Sequence, residues 1–117
     1  MLIVDDNLLT SSALVEQLRR AGHETIVAGT ASQALQPTRR PPDVVLVNLT
    51  ARAFHPPALV QEFRARSALR DSQIIGFCGH LETALRAAAL EAGCDQVITN
   101  AQALRQLNHT LAQLRAR

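Results

Sequence analysis

Short runs of aliphatic and β-branched residues alternate along this chain with longer stretches in which apolar residues recur every three or four positions. Strands repeat every two residues and helices about every 3.6, so the alternation predicts strands that each lead into a helix. The first run, Leu2–Val4, precedes a helix over Leu8–Arg20. Asp6 or Asn7 can cap its start and Gly22 can stop it, while Leu14, Val15 and Leu18 line its inner face. Thr25–Ala28 is the second strand, followed by a short helix over Ala31–Gln36 that Pro37 ends. Val44–Val47 is apolar at every position, the pattern of a strand buried on both faces. A loop over Leu49–Pro56 leads to a helix over Pro57–Arg66, with proline in its first turn. Ile74–Phe77 and Val97–Thr99 are the last strands, followed by helices over Leu81–Ala92, ended by Gly93, and over Ala101–Leu114. In the final helix Leu104, Leu107, Leu111 and Leu114 repeat at spacings of 3, 4 and 3. That stripe is first a core face, and its spacing also suits a seam against a second helix.

Strands joined by helices run parallel, and their crossovers are right-handed. The pattern therefore predicts a single α/β domain over residues 1–117, a (βα)5 doubly wound sheet with helices on both faces. In such sheets ligands bind beyond the carboxyl ends of the strands. Those ends carry Asp5 and Asp6 after the first strand, Asn48 after the third, Cys78 and Gly79 after the fourth, and Thr99 and Asn100 after the fifth. Two neighbouring carboxylates at one edge are oxygen donors of the kind that a hard cation such as magnesium prefers.

Composition narrows the chemistry. With 117 residues, 47% apolar and only 3% aromatic, the chain suffices for one core, which must be aliphatic because Trp and Tyr are absent. All 12 basic residues are arginine, so no mechanism here uses an ammonium side chain. A formal charge of +2 does not point to nucleic acid, and no recognition helix or aromatic stacking platform accompanies the arginines. Cys78 and Cys94 fit two small buried hydrophobes, and their places near opposite ends of the strands make a disulfide a poor fit. His23, His55, His80 and His109 form no ligand pattern and read as surface or capping residues. The N-terminus has no basic region before its apolar run, and no apolar run approaches a membrane span. The expectation is a cytoplasmic protein.

The segments VDDN, GHE, PDVVLVNL and GCDQVITN, in this order and spacing, resemble the receiver domain of a response regulator in two-component signalling, over essentially the whole chain. The resemblance implies the CheY-like, flavodoxin-like strand order 2-1-3-4-5. It also implies a pocket in which an acid pair holds magnesium, an aspartate accepts a phosphoryl group, and a hydroxyl and a lysine assist. By position the acid pair is Asp5 and Asp6, the acceptor position holds Asn48, the hydroxyl position Cys78 and the lysine position Asn100. The aromatic switch position holds Val97, and the usual proline after the lysine is Ala101. Only the acid pair is kept.

Each departure has a consequence. A neutral amide at Asn48 is no useful nucleophile and removes one anionic metal ligand. Without a lysine, nothing obvious pairs with incoming phosphoryl oxygens. A thiol at Cys78 is a weaker donor than a hydroxyl, and Val97 has no ring to swing. The pocket's formal charge is nevertheless the family's, because the acceptor carboxylate and the lysine are lost together. Asn48 and Asn100 are therefore expected to hydrogen-bond in place of the ion pair, with capping of the last helix as the alternative role of Asn100. Without the proline, the Asn100–Ala101 bond is expected to be trans. Arg52 either folds over the acid pair or faces solvent. The resulting expectation is a stand-alone pseudo-receiver with no output domain, which is not an enzyme, needs no cofactor, and holds magnesium weakly at most. It would signal through protein contacts, with a histidine kinase or another signalling protein. It could also pair with a second copy through the fourth helix, fifth strand and fifth helix, using Leu104, Leu107, Leu111 and Arg105 with Arg115 and Arg117 at the rim. The alternatives are a receiver with a non-standard acceptor, Asp5 or Asp6, and a small-ligand sensor.

Overall fold

Four aliphatic residues followed by an asparagine form the central strand, and all five positions are buried. The computed structural model describes residues 1–36, 40–66 and 69–115, with the backbone alone at 110 and 113–115. Pro37 and Arg117 lie outside the described residues, as do the side chains of Leu114 and Arg115. In chain order the elements are β1 (Leu2–Val4), α1 (Leu8–Arg20), β2 (Ile26–Ala28), α2 (Ala31–Ala34), β3 (Val44–Asn48), α3 (Pro56–Ala65), β4 (Gln73–Cys78), α4 (Thr83–Ala92), β5 (Gln96–Thr99), α5 (Asn100–Arg105) and α6 (Leu107–Arg115). The five strands form one parallel sheet in the order β2-β1-β3-β4-β5, the flavodoxin-like order. Register runs Val4 beside Ala28 and Val47, and Asn48 beside Phe77.

Alternation along each strand sends side chains to opposite faces and makes two cores. Val45 and Val47 join Leu59, Val60, Phe63 and Ala89 beneath α3 and α4. Val44 and Leu46 join Leu14, Leu18, Phe77, Ala103, Leu107 and Leu111 beneath α1, α5 and α6. Burying each of the large side chains Phe63 and Phe77 contributes roughly 1.5–3 kcal/mol. On α1 the buried face is Ser11, Leu14 and Leu18, with Val15 at its margin.

Element ends follow local chemistry. Asn7, and not Asp6, caps α1, its side chain accepting from Leu9 N and Thr10 N. Ala21 closes the helix and Gly22 leaves it at φ 87, a region open to glycine. Helix α3 starts at Pro56, one residue before the expected start, because His55 is its N-cap and Nδ1 accepts from Ala58 N at 3.3 Å. Helix α4 starts at Thr83, after a turn in which Glu82 N donates to Gly79 O at 3.1 Å, so Leu81 stands outside it and is 80% exposed.

The last helix departs most from expectation. It is broken at Gln106 into α5 and α6. The side chain of Gln17 on α1 donates to Ala103 O and Leu104 O and accepts from Leu107 N, so it occupies the place of a helical hydrogen bond. The break also divides the leucine stripe: Leu107 and Leu111 are buried, whereas Leu104 is 40% exposed.

Candidate functional site

The carboxyl ends of β1 and β3 bring Asp5 and Asn48 into direct contact. Asn48 Nδ2 donates to Asp5 Oδ1 at 2.8 Å, and Asn7 N donates to the same oxygen at 2.9 Å. The other face of the amide is equally committed. Asn48 Oδ1 accepts from Thr50 N at 2.9 Å and from Thr50 Oγ1 at 2.8 Å. These partners fix the amide's orientation, because a backbone N–H can only donate and an ionised carboxylate can only accept. Both residues are buried, and Asp5 Oδ2 is buried without a hydrogen-bond partner among the described residues.

Asp6 is exposed and turns to the loop after β3. Its Oδ2 accepts from Arg52 N at 2.8 Å and Ala53 N at 3.0 Å. The contact with Arg52 is thus made by its backbone, and its side chain faces solvent. The two acids divide the work: Asp5 anchors Asn48 inside the pocket, and Asp6 ties down the loop at its rim.

The remaining pocket positions make no side-chain hydrogen bond to Asn48. Cys78 ends β4 as a buried free thiol, and burial, reinforced by Glu82 and opposed by Arg86, pushes it above its ordinary value. Val97 is packed into the core beneath α3 and α4. Asn100 is exposed and makes no direct hydrogen bond to Asn48, whose amide is held instead by Asp5 and Thr50. Nor does Asn100 cap the last helix. Thr99 does so, accepting from Gln102 N at 3.1 Å while Gln102 Oε1 accepts from Thr99 N at 2.9 Å. No cis peptide bond occurs among the described residues, so the Asn100–Ala101 bond is trans as expected.

Magnesium demands a near-octahedral shell of oxygens. Asp5 Oδ2 is a donor of that kind, but Asp6 Oδ2 already accepts two N–H groups and Asn48 presents N–H, not oxygen, to Asp5. Among the described residues no three His, Cys, Asp or Glu side chains gather in one place. As arranged, the carboxylates that could face a cation here are those of Asp5 and Asp6, one fewer than the resemblance implies.

On the expected interaction face, Leu107 and Leu111 belong to the core and are not available to a partner. Arg105 is exposed on α5, and Leu90 on α4 is 44% exposed, whereas the exposed Leu104 borders Ala13, Gln17 and Arg20 of α1 and so turns from α4 towards α1. Sequence reasoning missed Thr50 and Gln17, whose roles depend on partners that folding brings to them. It also missed Arg64, which joins three segments at the opposite end of the strands. Its guanidinium donates to Gly93 O, Arg70 O and Ser72 O and pairs with Asp95 at 2.6 Å.

No family model and no curated protein matches the chain. Solved structures do. The receiver domain of a sensor histidine kinase of Pseudomonas aeruginosa, which has a magnesium ion coordinated in its active-site cleft, superposes with a TM-score of 0.84 at 21% identity, covering 96% of this chain and 93% of that one. A two-component response regulator of Clostridium difficile gives 0.84 at 17% identity, covering 99% and 94%. The receiver domain of a signal transduction histidine kinase of Syntrophus aciditrophicus gives 0.80 at 23% identity, covering 98% and 89%. The fold is that of the receiver domains of two-component signalling. No helix among the described residues is long and apolar enough to cross a membrane.

Proposed function

We propose that this chain is a pseudo-receiver, a member of the response-regulator receiver family that acts by protein contact without phosphoryl transfer and without a required cofactor. The observation that carries the reading is the state of Asn48. The acceptor position holds an amide whose N–H faces Asp5 and whose oxygen is engaged twice by Thr50. It offers neither a nucleophilic oxygen nor a metal ligand. The positions of the hydroxyl and the lysine hold the thiol of Cys78 and the exposed amide of Asn100, and neither replaces the missing donors. The protein's own N–H groups hydrogen-bond one oxygen of each carboxylate.

Output then falls to the surface. Leu90 is exposed on α4, and Leu104 and Arg105 are exposed on α5, where a signalling protein such as a histidine kinase, or a second copy, would dock. A second reading rests on the unpartnered Asp5 Oδ2, a buried carboxylate oxygen that could serve as a non-standard acceptor. Intact mass after incubation with acetyl phosphate and magnesium, beside a conventional receiver, separates the two. An unmodified chain with a labelled control supports the pseudo-receiver. A stoichiometric phosphoryl adduct replaces it with the second reading, and its position identifies the acceptor.

A further inference from the structure

In an unbroken helix Leu107 N would donate to Ala103 O. Both groups are instead bonded to one side chain. Gln17 Oε1 accepts from Leu107 N at 3.1 Å, and Nε2 donates to Ala103 O at 3.1 Å and Leu104 O at 2.9 Å. The amide has two N–H groups and both are used, so this geometry is available to glutamine and to no apolar residue of its length. The ladder is intact just before the insertion, since Gln106 N still donates to Gln102 O at 2.8 Å. At Gln106 the backbone turns to φ −127 and ψ 19, away from helical values, and the chain resumes as α6.

We propose that Gln17 is a withdrawable latch that holds the last helix broken and gives the face formed by α1, α5 and α6 two positions. With Gln17 inserted, α5 and α6 are separate segments. With Gln17 withdrawn, Leu107 N closes on Ala103 O, the two segments join, and α5 turns relative to α6. The exchange is feasible because every group freed has an alternative partner. Ala103 O accepts from Leu107 N and Leu104 O from Asn108 N, as in a continuous helix, and the half-buried amide of Gln17 swings to water. Packing permits it as well. Leu14 and Leu18 of α1 share a core with Ala103, Leu107 and Leu111, and Ala103, the one side chain of α5 in it, is small enough to turn without opening a large void. The segment that turns is the one that carries exposed Leu104 and Arg105, so the latch sets how α5 is presented.

The test is Gln17→Met, which keeps side-chain length and removes both kinds of hydrogen bond. In the wild-type protein, labelled with nitrogen-15 and carbon-13, the trans-hydrogen-bond coupling from Leu107 N to the Ala103 carbonyl carbon is expected to be absent. In Q17M it appears, the carbon shifts at 105–107 move to helical values, and exchange of the Leu107 amide slows by roughly tenfold or more. Dispersed methyl resonances from Leu14 and Leu18 verify that the variant is folded. Should Q17M fail to fold, Gln17→Ala carries the same readouts. Non-helical shifts and no Leu107–Ala103 coupling in a folded variant would overturn the proposal, because the break would then be fixed by packing and not by Gln17.

Discussion

Asparagine and aspartate fill nearly the same volume, yet at position 48 they require opposite surroundings. The amide brings a donor to Asp5, whereas a carboxylate would bring a second negative charge to an oxygen now 2.8 Å away. Asn48→Asp is therefore expected to lower stability by about 1.5–3 kcal/mol without added metal, measured by urea unfolding, because it removes a hydrogen bond to a charged group and replaces it with repulsion. Magnesium should recover more of that loss in the variant than it adds to the wild-type protein. The buried thiols make a different prediction. Burial pushes Cys94 up from 9.0 to about 12, with Asp95 adding to the shift and Arg64 opposing it. The folded state thus favours the neutral thiol. Its contribution is complete below the unfolded value near 9 and is lost as pH rises from there towards 12. Stability followed between pH 8 and 10.5 should fall by at most about 1.4 kcal/mol per pH unit from this group. Cys94→Ala should flatten the slope, leaving the smaller part that Cys78 contributes in the same direction.

Among the elements, β4 is the one shaped by a single missing atom. A Cβ on Gly76 would lie 2.8 Å from Leu49 Cδ1 and 3.0 Å from its Cγ, so the strand's glycine makes room for the residue that follows Asn48. Gly76→Ala should cost about 1–3 kcal/mol through overpacking, and pairing it with Leu49→Ala should cost less than the sum of the single changes. Arg64 acts between elements. Substitution by Ala frees Gly93 O, Ser72 O and Asp95 together and should destabilise by about 2–3 kcal/mol. Lys should rescue little, since one ammonium cannot reproduce a planar fork aimed at several acceptors. The strands were legible in the sequence because a strand buried on both faces has to be apolar at every position, as Val44–Val47 is. The broken helix was not. The spacing of Leu104, Leu107 and Leu111 reads as one continuous stripe, and the residue that interrupts it, Gln17, is 90 positions from Leu107. The pocket was half legible. Strand ends located Asp5, Asp6 and Asn48 correctly, but Asn48 was matched to Asn100 when Asp5 and Thr50 were nearer partners. Capping was likewise one residue off, because Thr99 combines with Gln102 in a reciprocal pair that Asn100 would not complete.

For the whole molecule, the parallel order β2-β1-β3-β4-β5 separates the acid pocket at the strands' carboxyl ends from the Arg64 junction at their opposite ends. A change confined to the exposed surface should therefore leave both intact. Leu104→Arg is expected to alter stability by no more than about 0.5 kcal/mol. It should still reduce capture of a partner, or self-association seen by sedimentation, if the side containing α5 is the docking face. Unchanged association would move the search to Leu8, Leu9 and Leu81, which are also exposed. The sheet has a further consequence for how such events could be watched. The chain has three phenylalanines and no other aromatic residue. Phe63 lies in the core on one side of the sheet, Phe77 in the core on the other, and Phe54 follows the loop residues that Asp6 holds and packs against the margin of the core that contains Phe63. Replacing phenylalanine with its fluorinated analogue would thus give three fluorine signals, one for each half of the interior and one for the pocket's rim. An event at the pocket that travels no further would move a single line, whereas one that crosses the sheet would move all three.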